Sequence, residues 1–325
     1  MMRRMAVTVF VVCGVMSGWA QDDVPDVIRA RSNLVLVPTL VETKKGDPVF
    51  ELQPKDFVIT DNGVIQPARL EEDTDLEPLA LAVVIQTGRE AFAQTNNLRG
   101  LNTMIDSMIG DVERRVAIIG FDSQQQLVQD FSGKTLDVSD GLNGLQPGDG
   151  GAAILDAVKY ATHLLSEQPK EYRRVLLLIS ETRDHGSHAS IPQVVQQVGE
   201  TNTVVYSVAF SPSKTELKDS FRGNNATGPG ANLLSPILMT VQAFRKNTSA
   251  AIAHLTGGEY VRFDTQFGFD KQIGHLTGHV HNRYILSFQP QSPAPGLHRI
   301  RVVLPEHGDL RVLARESYWA NPVLP

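Results

Sequence analysis

Leu79 to Ile85 form a nearly unbroken apolar run that stops at Gln86-Thr87-Gly88-Arg89-Glu90. Such a run, without polar alternation, predicts a strand buried on both faces of a parallel sheet. Apolar positions at Phe92, Leu98, Leu101, Met104, Ile105 and Met108 then predict a helix over Ala91 to Ile109. Val116 to Phe121 predicts a strand, and Gln126 to Phe131 alternates as a neighbouring edge strand would. Gly141 to Gly151 reads as a glycine-rich loop leading into a helix over Ala152 to Ser166. Val175 to Ile179 is a second buried strand, Ile191 to Val198 a helix and Thr203 to Phe210 another strand. Ile237 to Leu255 predicts one helix, Gly258 to Phe263 the final strand and Phe267 to Asn282 the last helix. Buried strands alternating with amphipathic helices predict a mostly parallel sheet with helices on both faces. Ligand sites of such sheets lie beyond the carboxyl ends of central strands, which directs attention to Gln86 and its neighbours.

The two ends of the chain have β character instead. Asn33 to Leu40 and Phe57 to Thr60 are short strand-like runs, separated by a turn at Lys45-Gly46-Asp47-Pro48, and Asp61-Asn62-Gly63 marks a second turn. Alone these strands are too few to be stable. Tyr284 to Phe288, Leu297 to Leu304 and Leu310 to Tyr318 supply the missing partners, with a turn at Glu306-His307-Gly308-Asp309. The expected fold is therefore an α/β, Rossmann-like domain inserted in a small β-sandwich that both ends build together. The expected boundaries are 1–20 for a leader, 21–76 for the N-terminal sandwich strands, 77–282 for the α/β domain and 283–325 for the C-terminal strands. Ser211 to Asn232 is polar and aperiodic, and reads as a surface insertion or linker.

The first residues change the expected address. Arg3 and Arg4 precede the apolar Met5 to Val15, and Gly18-Trp19-Ala20 places small residues where a signal peptidase reads them. Cleavage after Ala20 would leave a secreted or periplasmic chain with no stable membrane anchor. It would also remove Cys13, the single cysteine among 325 residues, so the mature chain would have no disulfide. Val12 is too large for the usual lipoprotein signal before that cysteine. The formal net charge of -6, with no basic stripe, argues against a nucleic-acid partner.

Glu181, Asp184, His185 and His188 lie together in SETRDHGSH, just past a buried strand. Two carboxylates and two imidazoles are suitable ligands for zinc, but the spacing matches no established zinc pattern, and a polar loop capping the next helix explains them more simply. His275 and His279 stand at i and i+4 on a helix, with His281 beyond. Leu276 occupies the place where an HExxH catalyst needs glutamate, so this reads as a solvated or partly packed helix face. No GK[ST] follows Gly148 to Gly151, and Ser180 is not in a GxSxG elbow. Asp122 and Asp130 read as solvated carboxylates at strand ends.

The order of several segments, KDFVITDNG, the apolar strand before QTGRE, GDGGAAILDAV, VLLLISETRD, HLTGGEY and RYILSFQP, resembles the acidobacterial von Willebrand factor A-related family of secreted bacterial proteins. That resemblance covers most of the chain after the leader. It implies a von Willebrand factor A domain with a metal-ion-dependent adhesion site, in which an Asp-x-Ser-x-Ser run, a threonine and a later aspartate hold a divalent cation. The hard oxygen ligands of such a site suit magnesium. Here the family's aspartate position falls on Gln86, its serines on Gly88 and Glu90, its threonine on Ala152 and its last aspartate on Glu181. Three hydroxyls are lost and one carboxylate becomes an amide.

The resulting expectation is a non-enzymatic, adhesion-type interaction module with a degenerate adhesion site and no cofactor. Its binding face would be the loops at Gln86 to Glu90, Asp149 to Ala153 and Glu181 to His188, and its partner an unidentified protein of the cell envelope. Two alternatives stay open. One is a metal-dependent hydrolase built on Glu181, Asp184, His185 and His188. The other is a residual adhesin binding magnesium or another divalent cation through Glu90 and Glu181.

Overall fold

The computed structural model describes residues 34–71, 77–88, 100–210, 236–291 and 293–320. The expected leader, the start of the helix after Glu90, Glu90 itself and the Ser211 to Asn232 insertion lie outside them. Three sheets are present. The central one has six strands in the order β10 (Tyr260–Phe263), β9 (Val204–Phe210), β8 (Arg173–Ser180), β5 (Leu79–Gln86), β6 (Arg114–Phe121) and β7 (Gln125–Ser132). All pairings are parallel except β6 with β7, which form a hairpin at the edge.

Every residue of β5 is buried, as its composition requires. Its two faces enter different cores. Leu79, Leu81, Val83 and Ile85 pack toward α1 (Leu101–Ile109) and the last helix, α7 (Gln266–His281). Ala80, Ala82 and Val84 face α3 (Ile154–Ser166), which presents Ile154, Ala157, Val158 and Ala161. The small alanines let that helix approach the sheet closely. Burying the larger side chains contributes on the order of 1.5–3 kcal/mol each.

Three sequence expectations are corrected. Thr135–Asn143 forms a helix, α2, that the pattern did not show, so the glycine-rich loop begins only at Gly144. The single helix expected over Ile237 to Leu255 is two, α5 (Pro236–Lys246) and α6 (Thr248–Thr256). Asn247 breaks them by leaving helical geometry and accepting the Ala250 N–H on its Oδ1 at 2.9 Å. Leu310 to Tyr318 likewise divides into β13 (Arg311–Ala314) and β14 (Ser317–Ala320), which belong to different sheets.

The two remaining sheets form the sandwich. One has the order β13, β1 (Val35–Glu42), β11 (Tyr284–Phe288) and β4 (Arg69–Glu71). The other has the order β14, β12 (Gly296–Val303), β2 (Val58–Asp61) and β3 (Val64–Gln66). Each sheet draws strands from both ends of the chain, alternating in the first and paired two by two in the second, and their apolar faces share one core that includes Val37, Ile59, Leu286, Phe288 and Ile300. The β2–β3 hairpin turns through Asn62 and Gly63 at φ 47° and 87°, the left-handed pair that a two-residue hairpin favours. Within this core, His298 Nδ1 meets Asp61 Oδ1 at 2.7 Å and the Tyr318 hydroxyl donates to Asp61 Oδ2 at 2.7 Å.

Arg315 joins the sandwich to the α/β domain from a buried position. Its Nε donates to Ser317 O at 2.6 Å, and Nη1 donates to Leu36 O and to Asn202 Oδ1 at 3.1 and 2.9 Å. Asn202 caps α4 (Ile191–Thr201) in the left-handed conformation. The charged residue inside an alternating run is therefore the point where the chain crosses from one sheet to the other.

Candidate functional site

β5 is flanked by β6 and β8, which follow it in sequence but lie on opposite sides, so Gln86 closes the strand at the switch point of the sheet. Three loops meet there. The Gln86 side chain reaches across to β8: its Nε2 donates to Glu181 Oε1 at 3.0 Å, and its Oε1 accepts the Glu181 backbone N–H at 2.9 Å. Nε2 also approaches Gly151 O at 3.4 Å. Ala152 is fully buried and pairs with His185 through two backbone hydrogen bonds, His185 N to Ala152 O at 3.0 Å and the reverse at 3.3 Å. His185 Nδ1 lies 3.6 Å from Glu181 Oε1.

The structure thus brings together Gln86, Gly88, Ala152, Glu181 and His185. A divalent cation wants oxygen donors converging on one point. Among the described residues, this point holds the Gln86 amide, whose Nε2 donates to Glu181 Oε1 and Gly151 O, and one carboxylate, a donor set that does not fit a magnesium ion. A Cβ on Gly88 would lie 2.9 Å from Gly151 O and 3.1 Å from Asp149 O, leaving no room for a serine in this loop arrangement.

The glycine-rich loop is held by the carboxylates of Asp122 and Asp149. Asp122 Oδ2 accepts the Asp149 N–H at 2.8 Å, which corrects its reading as a solvated strand end. Asp149 in turn accepts from the Gly151 and Ser123 N–H groups and from the Ser123 hydroxyl. The Ser123 hydroxyl, then the Gly151 and Ser123 N–H groups, hold its carboxyl below the usual range against a small opposing effect of burial. Gly151 crosses the Ser123 backbone so closely that a Cβ would sit 2.5 Å from Ser123 N. Asp130 is exposed, and its carboxylate accepts the Phe131 N–H.

Asp184 and His188 turn to other partners. Asp184 Oδ1 accepts the Leu155 N–H at 2.9 Å and the Ser187 hydroxyl at 2.6 Å, capping the start of α3. His188 is exposed, with its N–H and ring on Asp156. Burial tends to raise the Asp156 pKa, but the His188 and Ala189 N–H groups outweigh it and hold the carboxyl below its ordinary value. Ser180 is buried on Ser249 and on Glu181 O, a packing role.

Among the described residues, the group whose ligand atoms do converge is Glu259, His275 and His279. The face is partly packed: His275 is exposed, while His279 is buried and its Nδ1 lies 2.9 Å from Glu259 Oε2. Arg283 Nη2 lies 2.5 Å from Glu259 Oε1. Burial tends to raise the Glu259 pKa, but the His279 hydrogen bond and the Arg283 charge outweigh it, so its carboxyl ionises below the ordinary range. Burial opposes the His279 imidazolium, but the Glu259 hydrogen bond and charge overcome it and raise its pKa. The i, i+4 histidines were visible in the sequence. Glu259 was not, because it comes from the approach to β10.

Residues 89–184 match the family described as the von Willebrand factor type A domain. With the sheet order above, the α/β part has the von Willebrand factor A fold. No curated protein matches it. Solved structures with a similar arrangement include the conserved hypothetical protein BatB from Bacteroides thetaiotaomicron, at 16% identity and a TM-score of 0.42, covering 61% of this chain and 98% of that one. Proximal thread matrix protein 1 from the mussel byssus is 12% identical with a TM-score of 0.44, over 67% of this chain and 48% of its own, so the chain spans about half of that protein. The PilB minor pilin from Streptococcus sanguinis is 13% identical with a TM-score of 0.43, over 65% and 63%. No helix among the described residues is long and apolar enough to cross a membrane.

Proposed function

We propose that this chain is a non-enzymatic protein-interaction module, exported to the periplasm or beyond through its N-terminal leader. Its adhesion site no longer uses a cation. The observation that carries this reading is the two-way hydrogen bond between Gln86 and Glu181, which puts an amide N–H where a cation's charge would act. The amide satisfies the carboxylate from within, so the loops keep their arrangement without an ion. The partner-binding face is the rim formed by Gly88, Asp149 to Gly151 and Glu181 to His188, with His185 and His188 exposed on it.

The partner is a protein of the cell envelope, neither a nucleic acid nor a lipid anchor. The hydrolase reading is not favoured, since Asp184 and His188 serve the first turn of α3 and leave Glu181 and His185 without them. The test is capture of partners from envelope extracts by the purified chain, with and without chelator, and by the His185→Ala and His188→Ala variants. The expected result is a captured protein that chelator does not release and that the variants bind more weakly. Release by chelator would instead return the site to the cation-dependent class.

A further inference from the structure

Glu259, His275 and His279 offer ligand atoms that all lie within 4.8 Å of one another, and the geometry points to a zinc(II) site there. It lies at the end of the sheet opposite Gln86, because Glu259 precedes β10 whereas Gln86 ends β5. Two elements supply the ligands. His275 and His279 are one turn apart on α7 with ring centroids 4.0 Å apart, and Glu259 arrives from the chain entering β10.

Two imidazoles and a carboxylate form a borderline donor set that suits zinc, whereas magnesium and calcium select oxygen alone. The surroundings are those of a supported site. Arg283 holds Glu259 Oε1 and leaves Oε2 directed at His279, which is how a ligating carboxylate is usually fixed from behind. The proton now shared between His279 Nδ1 and Glu259 Oε2 would leave to solvent as the ion takes its place. Zinc–nitrogen and zinc–oxygen distances near 2.0–2.2 Å put tetrahedral ligand atoms roughly 3.3–3.5 Å apart. The present 2.9 Å separation therefore opens by only about half an ångström. His275 is exposed, so the ion reaches the site from solvent and a water completes its coordination.

The site also touches the sandwich. Gly46, in the turn after β1, lies close enough that a Cβ there would be 3.6 Å from His275 Nε2, and the buried carboxylate of Glu42 adds negative charge nearby, balanced in part by Arg311. A bound ion would clip α7 to the approach of β10 beside that turn, so its role is to brace these two elements of the α/β domain against each other. This inference is independent of the proposed partner-binding face.

The experiment is calorimetric titration of the purified full chain with zinc chloride, with thermal unfolding in parallel. One zinc per chain and a raised Tm are expected. His275→Ala changes only an exposed ligand, so it should unfold at the wild-type temperature without zinc yet lose affinity by about tenfold or more. Glu259→Gln should lose zinc as well, while His185→Ala, at the other end of the sheet, should bind as the wild type does. Absence of zinc binding by the wild type, wild-type affinity in His275→Ala, or loss of zinc in His185→Ala would each overturn the assignment.

Discussion

Gln86 and Glu181 hold each other through both ends of the Gln86 amide, Nε2 on the Glu181 carboxylate and Oε1 on its backbone N–H. Each group of the pair thus has a partner in the other. Gln86→Glu keeps the length of the side chain but sets a second carboxylate against the first. The expected loss is about 2 kcal/mol at neutral pH, from one lost hydrogen bond and like-charge repulsion. Urea unfolding of both proteins checks it. Magnesium should leave the wild-type midpoint where it is.

Restoring a hydroxyl at the neighbouring position should not restore a site. Gly88→Ser introduces a Cβ against the Gly151 and Asp149 carbonyls, and both are backbone that cannot swing aside cheaply. Overpacking of this kind costs about 1–3 kcal/mol. Thermal unfolding should show a lower Tm with no recovery in excess magnesium.

Arg315 makes its bonds to Ser317, Leu36 and Asn202 from full burial, and that burial draws its pKa down to about 10, still cationic at neutral pH. In Arg315→Lys one ammonium replaces a fork that reached four separated acceptors, these three and Gly199 O at 3.4 Å. The expected cost is about 3 kcal/mol. For a domain of this size that lowers Tm by roughly 6–12 °C, measurable by calorimetry.

Asp156 lies in the first turn of α3 and accepts the His188 and Ala189 N–H groups at 2.8 and 2.7 Å. Its folded carboxyl ionises at lower pH than the unfolded one, for which 3.8 is the ordinary value. The stabilisation is therefore complete above that value and disappears as the pH falls through the lower folded one. Asp156→Asn should be less stable than the wild type by about 1 kcal/mol at pH 7. The two should converge below pH 3.8, as denaturant unfolding across acidic pH would record.

What the sequence disclosed depended on how local each signal was. β5 and β8 were legible because a strand buried on both faces must be apolar throughout, and β2 and β12 because they alternate. α2 was hidden because its sequence, TLDVSDGLN, holds few strong helix formers and buries only Val138 and Gly141. The break at Asn247 needed the side-chain hydrogen bond to Ala250, and the crossing at Arg315 needed acceptors far away in the chain. At the site, Gln86 was found by its place after a strand and Gly88, Ala152 and Glu181 through the family resemblance, whereas Glu259 joined His275 and His279 only through the fold.

The interleaved sandwich also dictates an order of events at the ribosome. β1 lies between β11 and β13, so its apolar residues emerge early yet cannot be covered until Tyr284 and everything before it have been made. The α/β body can mature in the meantime, leaving an unpaired strand at its margin that is free to mispair with other chains. A chain that stops short of β11 would therefore release a folded body carrying an adhesive edge, and it would aggregate.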